Sequence, residues 1–266
     1  MATINRHYEE IQENLKAWRE KPLLRKIYTH FHKIIAEQLP EQLEGNVVEL
    51  GSGVADIRKV IPACIRTDLF DNPWIEHVEN AYDLSFDNAS ISGLILFDVF
   101  HHLRYPGTAL KEFHRVLVPE GRVIIFEPCI SLFGILVYGL FHNEPLALNR
   151  PIEAFAPDRW SPKNIDYYAA QGNATRIFLH RKSDAALSGW RLMETKRLSA
   201  VSYVASGGYS GPQMYPKVAF PAMRLIDKFC DILPDIFATR LLIILEKPDN
   251  SASDTTKVTG KTSCRT

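Results

Sequence analysis

Along the first forty residues the apolar positions recur at steps of three and four. Ile4, Tyr8, Ile11, Leu15 and Trp18 form one such series, which predicts a helix over 4–20. A second helix is predicted over 22–39, opened by Pro22 and stopped at Pro40. The texture then changes to short apolar runs separated by turns. NVVEL (46–50), CIRTDL (64–69) and GLILFDVF (93–100) read as strands, with a fainter one in HVENAYDL (77–84). GLILFDVF hardly alternates, as a strand buried on both faces should. ADIRKVIP (55–62) leaves room for only a turn or two of helix. TALKEFHRVL (108–117) has helical spacing, Pro119-Glu120-Gly121 is a turn, and RVIIFEP (122–128) is another buried strand.

Strands alternating with helices argue for an α/β fold, a parallel and doubly wound sheet. The division expected is an N-terminal helical cap (1–40), a ligand-binding core (41–128), an insertion carrying a sixth strand (129–235), a final core strand (236–247) and a disordered tail (248–266). The insertion is rich in aromatics, Pro and Asn and reads as a lid or substrate-binding segment. Within it, WRLMETKRLSAVSYV (190–204) reads as a strand, SGGYSGPQMYP (206–216) as a loop and 217–233 as a helix. TRLLIILEK (239–247) is the last strand.

Bulk properties narrow the function. Lys+Arg and Asp+Glu are both 31, so no global positive field exists to hold a nucleic acid. Cys64, Cys129, Cys230 and Cys264 are scattered without a CxxC pair, which fits reduced thiols in a cytoplasm. The N-terminus is polar and does not resemble a signal peptide. The longest apolar run, ISLFGILVYGLF (130–141), is too short to span a bilayer. It reads as a buried helix or strand, with a lipid-facing cap as the other reading.

The candidate chemistry sits at strand ends. Gly51 and Gly53 follow the first strand, with Glu49 before them and Ser52 between. Asp68, Asp83, Asp98 with His101 and His102, and Glu127 fall at or just after later ones. In a doubly wound sheet these ends face one crevice. A glycine there admits backbone angles and close approaches that other residues refuse, although a plain tight turn has the same glycines. The dinucleotide fingerprint G-x-G-x-x-G needs a third glycine where this chain has Asp56. An acid at that helix start would repel a pyrophosphate, so a nicotinamide-dependent oxidoreductase is disfavoured. An adenosine without phosphates, its ribose held by Asp68, fits better. S-adenosylmethionine meets that description.

From about residue 45 to 128 the chain resembles the class I S-adenosylmethionine-dependent methyltransferases, in the small-molecule branch with an "LHHL" signature. The residues that carry the resemblance are VELGSG (48–53), TDLF (67–70), NAYDLSFDNAS (80–90), LILFDVFHHL (94–103) and EFHRVLVPEGRVIIFEP (112–128). It implies a Rossmann-like, mostly parallel seven-stranded sheet. It also implies that Gly51, Ser52 and Gly53 lie against the methionine and ribose, with Glu49 supporting the turn. Asp68, followed by Leu69, would take the ribose. Asp83 and the backbone of Leu84 would meet the adenine, and Asp98 would sit beside the activated methyl.

Methyl transfer is an in-line displacement that needs a base only when the acceptor must lose a proton. His101, His102 and His142, the last with Glu144 in FHNEP, are the candidates. The histidine pair also belongs to the fold signature, where capping and packing are alternatives. Phe155, Trp160, Tyr167 and Tyr168 offer stacking for a flat or sugar acceptor, or simply a core for the insertion. No set of His, Asp and Glu has ligand spacing on one element, so no metal is expected. The expected function is methyl transfer to a small acceptor, at oxygen, with a sugar, polysaccharide precursor or secondary metabolite favoured. The alternatives are an inactive cofactor-binding protein and an enzyme acting on a lipid or quinone-like acceptor, associated with a membrane surface.

Overall fold

The computed structural model describes residues 2–141, 144–163 and 168–249. Seven strands form one sheet in the order β3-β2-β1-β4-β5-β7-β6. They are β1 (Asn46–Leu50), β2 (Ile65–Asp68), β3 (His77–Val78), β4 (Ile91–Phe97), β5 (Leu117–Pro128), β6 (Arg191–Ser199) and β7 (Ala238–Glu246). The sheet is mixed. The first five strands are parallel, and β7 runs antiparallel to both β5 and β6.

Alternate residues of the central strands feed two cores. Leu94 and Leu96 of β4, Val123 and Ile125 of β5, and Leu241 and Ile243 of β7 face one side. There α3 (Pro106–Val116) packs with residues near 177 and 187. Ile95, Phe97, Ile124, Phe126, Leu242 and Ile244 face the other side. That side is covered by α2 (Pro22–Ala36), whose Leu23, Leu24, Ile27, Phe31 and Ile35 are buried at helical spacing. Pro22 opens α2 as the sequence indicates, and α1 (Ala2–Glu20) precedes it.

The doubly wound expectation needs correction on one half of the sheet. Among the described residues, the connections from β1 through β4 carry no α-helix, only a 3-10 turn at Ile57–Lys59. Residues 51–64 must leave β1, turn at two glycines and re-enter a parallel neighbour. That leaves too few for a full crossover helix, and α2 covers the face instead.

Other differences are local. The turn at Pro119–Gly121 survives as a bulge within β5, where Glu120 has φ +62° and the register against β4 slips between Ile91 and Gly93. β6 ends at Ser199, and VSYVA folds into α5 (Val201–Ala205). The cause is Asp227, buried 25 residues further on, whose carboxylate accepts the Ser202 N–H and hydroxyl. The helix expected over 217–233 becomes a 3-10 turn, α6 (Phe220–Cys230) and, past the break at Pro234, α7 (Pro234–Phe237).

The apolar run 130–141 forms α4 (Leu132–Phe141), and it is not core. Only its Tyr138 side is buried. No described helix is long and apolar enough to cross a membrane. His142 and Tyr167 lie outside the described residues, as does the tail from 250.

Candidate functional site

After β1 the chain turns through Gly51 (φ +64°) and Gly53 (φ +50°). The two glycines differ in purpose. A Cβ on Gly51 would lie 2.5 Å from Val99 Cγ2, whereas one on Gly53 meets nothing within 4 Å. Gly51 is thus required by packing and backbone angle, and Gly53 borders open space. Ser52 fixes the turn, its N–H donating to Thr67 O at 2.9 Å and its hydroxyl to Glu49 O at 3.3 Å. Asp68 ends β2. One of its oxygens accepts the Gly53 N–H at 3.2 Å and the other the Leu69 N–H at 2.8 Å. The acid of the second strand therefore organises the glycine turn of the first. Trp74 Nε1–H and the Arg66 guanidinium both donate to Gly53 O from behind.

Glu49 and Arg66 are buried under this turn, with Arg66 Nε 4.0 Å from Glu49 Oε2. Neither of these two atoms has a hydrogen bond. Burial pushes the Glu49 carboxyl up to about 8, against the pull of Ser52 and Arg66. The unfolded carboxyl ionises near 4.5. Between those values the native state holds a proton that the unfolded state has lost, so stability falls as pH rises through the window. Glu49→Gln removes the titration. Urea unfolding at pH 5 and pH 8 should show a flatter pH dependence for the variant, which outlasts the parent at pH 8 by about 2–4 kcal/mol, at roughly 1.4 per pKa unit. Parallel profiles for the two proteins would contradict this.

Beyond Leu69 a cleft of about 380 Å³ opens between Val78, Asn80, Asp83 and Lys163. Asp83 is exposed there. The expectation for Leu84 needs correction, because its N–H already donates to Glu112 Oε1 at 2.9 Å. Two neighbours escaped the sequence reading. Glu79 is buried and accepts the Ser85 N–H at 2.9 Å. Asn80 Nδ2 donates to Pro162 O at 2.8 Å and ties the insertion to the cleft.

Asp98 follows β4 with φ +56°. Its carboxylate pairs with Arg240 of β7, whose buried guanidinium sits among Phe31, Phe97, Phe126 and Tyr203, 4.6 Å from the last ring. Arg240, a cation inside an apolar strand, was not legible as a partner of Asp98. Asp98 is thus the counter-ion of a buried arginine as well as a crevice residue.

On the other side of β4, a 3-10 turn (Phe100–His102) aims both histidines at one carboxylate. His101 Nδ1 lies 2.7 Å from Glu127 Oε2 and its Nε2 3.2 Å from Glu144 Oε2. His102 Nδ1 lies 2.9 Å from Tyr168 O and its Nε2 3.5 Å from Glu144 Oε1. Gln171 Nε2 donates to Glu144 at 2.8 Å, and Glu127 also accepts the Phe100 N–H at 2.7 Å. Burial lowers the affinity of His101 for a proton, but Glu127 and Glu144 outweigh it and hold the imidazole near 10. His102 moves the other way, to about 4, through burial and the charge of His101. His101 is therefore positioned as a cation, and the more exposed His102 is neutral. Trp160 packs edge-on against Tyr82 and Tyr105, at 4.9 and 5.2 Å between ring centres, and Lys111 lies over Phe155. Those contacts use both rings in packing.

The comparisons with known proteins bear on this geometry. A family model described as "Methyltransferase domain" matches residues 54–125. No curated protein matches the chain. Among solved structures, the chain is similar to a SAM-dependent methyltransferase from Archaeoglobus fulgidus (11% identity, 84% of this chain and 94% of that one, TM-score 0.48). It is also similar to the Burkholderia thailandensis 1,6-didemethyltoxoflavin-N1-methyltransferase with bound S-adenosylhomocysteine (14%, 92% and 87%, TM-score 0.46). A third is an S-adenosylmethionine-dependent methyltransferase from Mesorhizobium loti (13%, 80% and 95%, TM-score 0.43). The domain match supports a methyltransferase, for which S-adenosylmethionine would be the methyl donor. The residues present fit that molecule. Open space over Gly53, the strand-end carboxylate of Asp68 and the cleft past Leu69 follow one another along the adjacent strands β1, β2 and β3.

Proposed function

We propose that this protein transfers a methyl group from S-adenosylmethionine to an oxygen of a small acceptor. One observation carries the reading. The glycine turn and Asp68 stand on one side of the β1–β4 switch point, and the histidine–carboxylate cluster stands on the other, at the ends of β4 and β5. Ligands of open α/β sheets bind at such a point.

S-adenosylmethionine supplies an activated methyl on a good leaving group. The chain's task is to align the acceptor and exclude water. Gly53 leaves room at the turn, and Asp68 accepts from the ribose hydroxyls. A hydroxyl acceptor has a proton to lose, and the neutral His102 with the Glu144 carboxylate faces it.

The acceptor body is best read as lipid or quinone-like, in preference to a free sugar. The outer stripe of α4 is Leu132, Ile135, Leu136 and Leu140, the first and last 67% and 68% exposed, and α4 has no charged residue. A second exposed apolar stripe runs from α6 (Leu225, Ile226, Phe229) into the turn before α7 (Ile232, Leu233). α4 meets α7 through Phe133 and Phe237, which joins the two stripes. Lys217 and Lys228 flank them without an ion-pair partner among the described residues, while Asp227 and Asp231 turn inward onto Ser202 and Ser199. An apolar face with a cationic rim suits an anionic membrane surface.

The test is transfer of labelled methyl from S-adenosylmethionine to a panel of sugars, phenols and isoprenoid quinols, the last in vesicles. Stoichiometric S-adenosylhomocysteine and a labelled quinol or lipid are expected. His102→Ala should lower kcat by about a hundredfold and leave cofactor affinity unchanged. Cofactor binding without label on any acceptor would favour the inactive binder instead.

A further inference from the structure

The His101–His102–Glu144 cluster has a second property, independent of the methyl-transfer reading. Its tautomers are set by acceptors. Glu127 Oε2 at 2.7 Å and the Tyr168 carbonyl at 2.9 Å can only receive protons, so both histidines carry hydrogen on Nδ1. The Nε2 atoms lie 3.2 and 3.5 Å from oxygens of the Glu144 carboxylate, and a metal ion entering between them displaces the Nε2 proton that His101 carries in the metal-free cluster. Two nitrogen lone pairs and a carboxylate oxygen converge, all within 4.8 Å of one another.

That is the donor set of a cation. Ligands about 2.0–2.1 Å from a tetrahedral Zn²⁺ stand about 3.4 Å apart; each imidazole is near that distance from one oxygen of Glu144, and small side-chain shifts would bring the three donor atoms onto one ion. The supporting shell is present as well. A metal-bound imidazole usually donates its other N–H to a carboxylate or a backbone carbonyl, and His101 and His102 show one of each. Gln171 anchors the third ligand. Charge agrees: with neutral rings, the buried Glu127 and the largely covered Glu144 carboxylates sum to the charge that one divalent ion cancels. Two imidazoles and one carboxylate favour a borderline ion such as Zn²⁺ over Mg²⁺ or Ca²⁺.

We propose that His101, His102 and Glu144 bind one divalent transition-metal ion, Zn²⁺ by donor type. With the ion bound His102 is a ligand, and the proton-accepting role given to it above belongs to the metal-free protein. The site escapes a sequence scan because its ligands come from a 3-10 turn after β4 and a loop after α4, with the supporting carboxylate at the end of β5.

The test is titration of the chelator-stripped full chain with Co²⁺, followed by Zn²⁺ competition. The expected result is one Co²⁺ per chain with the visible absorption of a four- or five-coordinate ion, displaced by one Zn²⁺. Glu144→Gln and His102→Ala, each shown folded by circular dichroism, should weaken Co²⁺ binding by at least about a hundredfold. Absence of stoichiometric binding, or binding that survives both substitutions, overturns the proposal. Calorimetry with S-adenosylmethionine on the same metal-free protein reports the cofactor site separately, so the two readings fail independently.

Discussion

Asp98→Asn should destabilise the fold by about 3 kcal/mol, and Arg240→Met by clearly less. Arg240 is 2% exposed and its Nε lacks a hydrogen bond, so its charge depends on the Asp98 carboxylate. Removing that carboxylate strands a buried cation, which typically costs about 3–5 kcal/mol. The lower end is expected because the Asp98 side chain is 29% exposed and water reaches the pair. Asparagine is the informative replacement because it tolerates the positive φ. The reverse deletion is milder. Methionine fits a box of Phe31, Phe97, Phe126 and Tyr203, and an unpaired Asp98 can hydrate. The double variant should recover more than half of the Asp98→Asn loss. Urea midpoints for the three proteins check this, and an Arg240→Met cost equal to or above that of Asp98→Asn would contradict it.

The second large effect concerns the cofactor. Asp68→Ala should reduce affinity for S-adenosylmethionine by roughly 10²–10⁴. Two ribose hydroxyls donating to a carboxylate are worth about 1.5–3 kcal/mol each, and alanine also frees the Gly53 and Leu69 amides from their acceptor. Substitutions at the glycines separate binding from folding. Gly51→Ala should lower stability by about 1–3 kcal/mol, because φ +64° strains an L-residue and Val99 blocks the methyl. Gly53→Ala has open space but keeps the strain of φ +50°, so it should cost about 1 kcal/mol, less than Gly51→Ala, yet bind cofactor at least about tenfold more weakly, at 1.4 kcal/mol per tenfold. Calorimetry and thermal melts on the same samples would show the split. Equal binding losses from both glycine variants would argue that Gly53 does not border the ligand.

Much of this was legible in the sequence for a physical reason. Parallel strands buried on both faces read as continuous apolar runs, so their carboxyl ends could be located, and with them Gly51, Gly53, Asp68, Asp98 and the histidine pair. The remainder depends on partners far along the chain. Arg240 meets Asp98 across 142 residues, and Glu144 meets His101 across 43. Asp227 redirects the end of β6 from a different helix. The outward face of α4 was hidden for another reason. Core and docking surfaces are both apolar, and periodicity cannot say which faces inward.

The central claim is that Gly53 and Asp68 hold S-adenosylmethionine. Its most direct test is calorimetric titration of the purified chain with S-adenosylmethionine, S-adenosylhomocysteine and NAD. The account predicts saturable 1:1 binding of the two sulfur compounds, weakened at least about a hundredfold by Asp68→Ala, and no heat from NAD. Failure of both sulfur compounds to bind, or a preference for NAD, would contradict it.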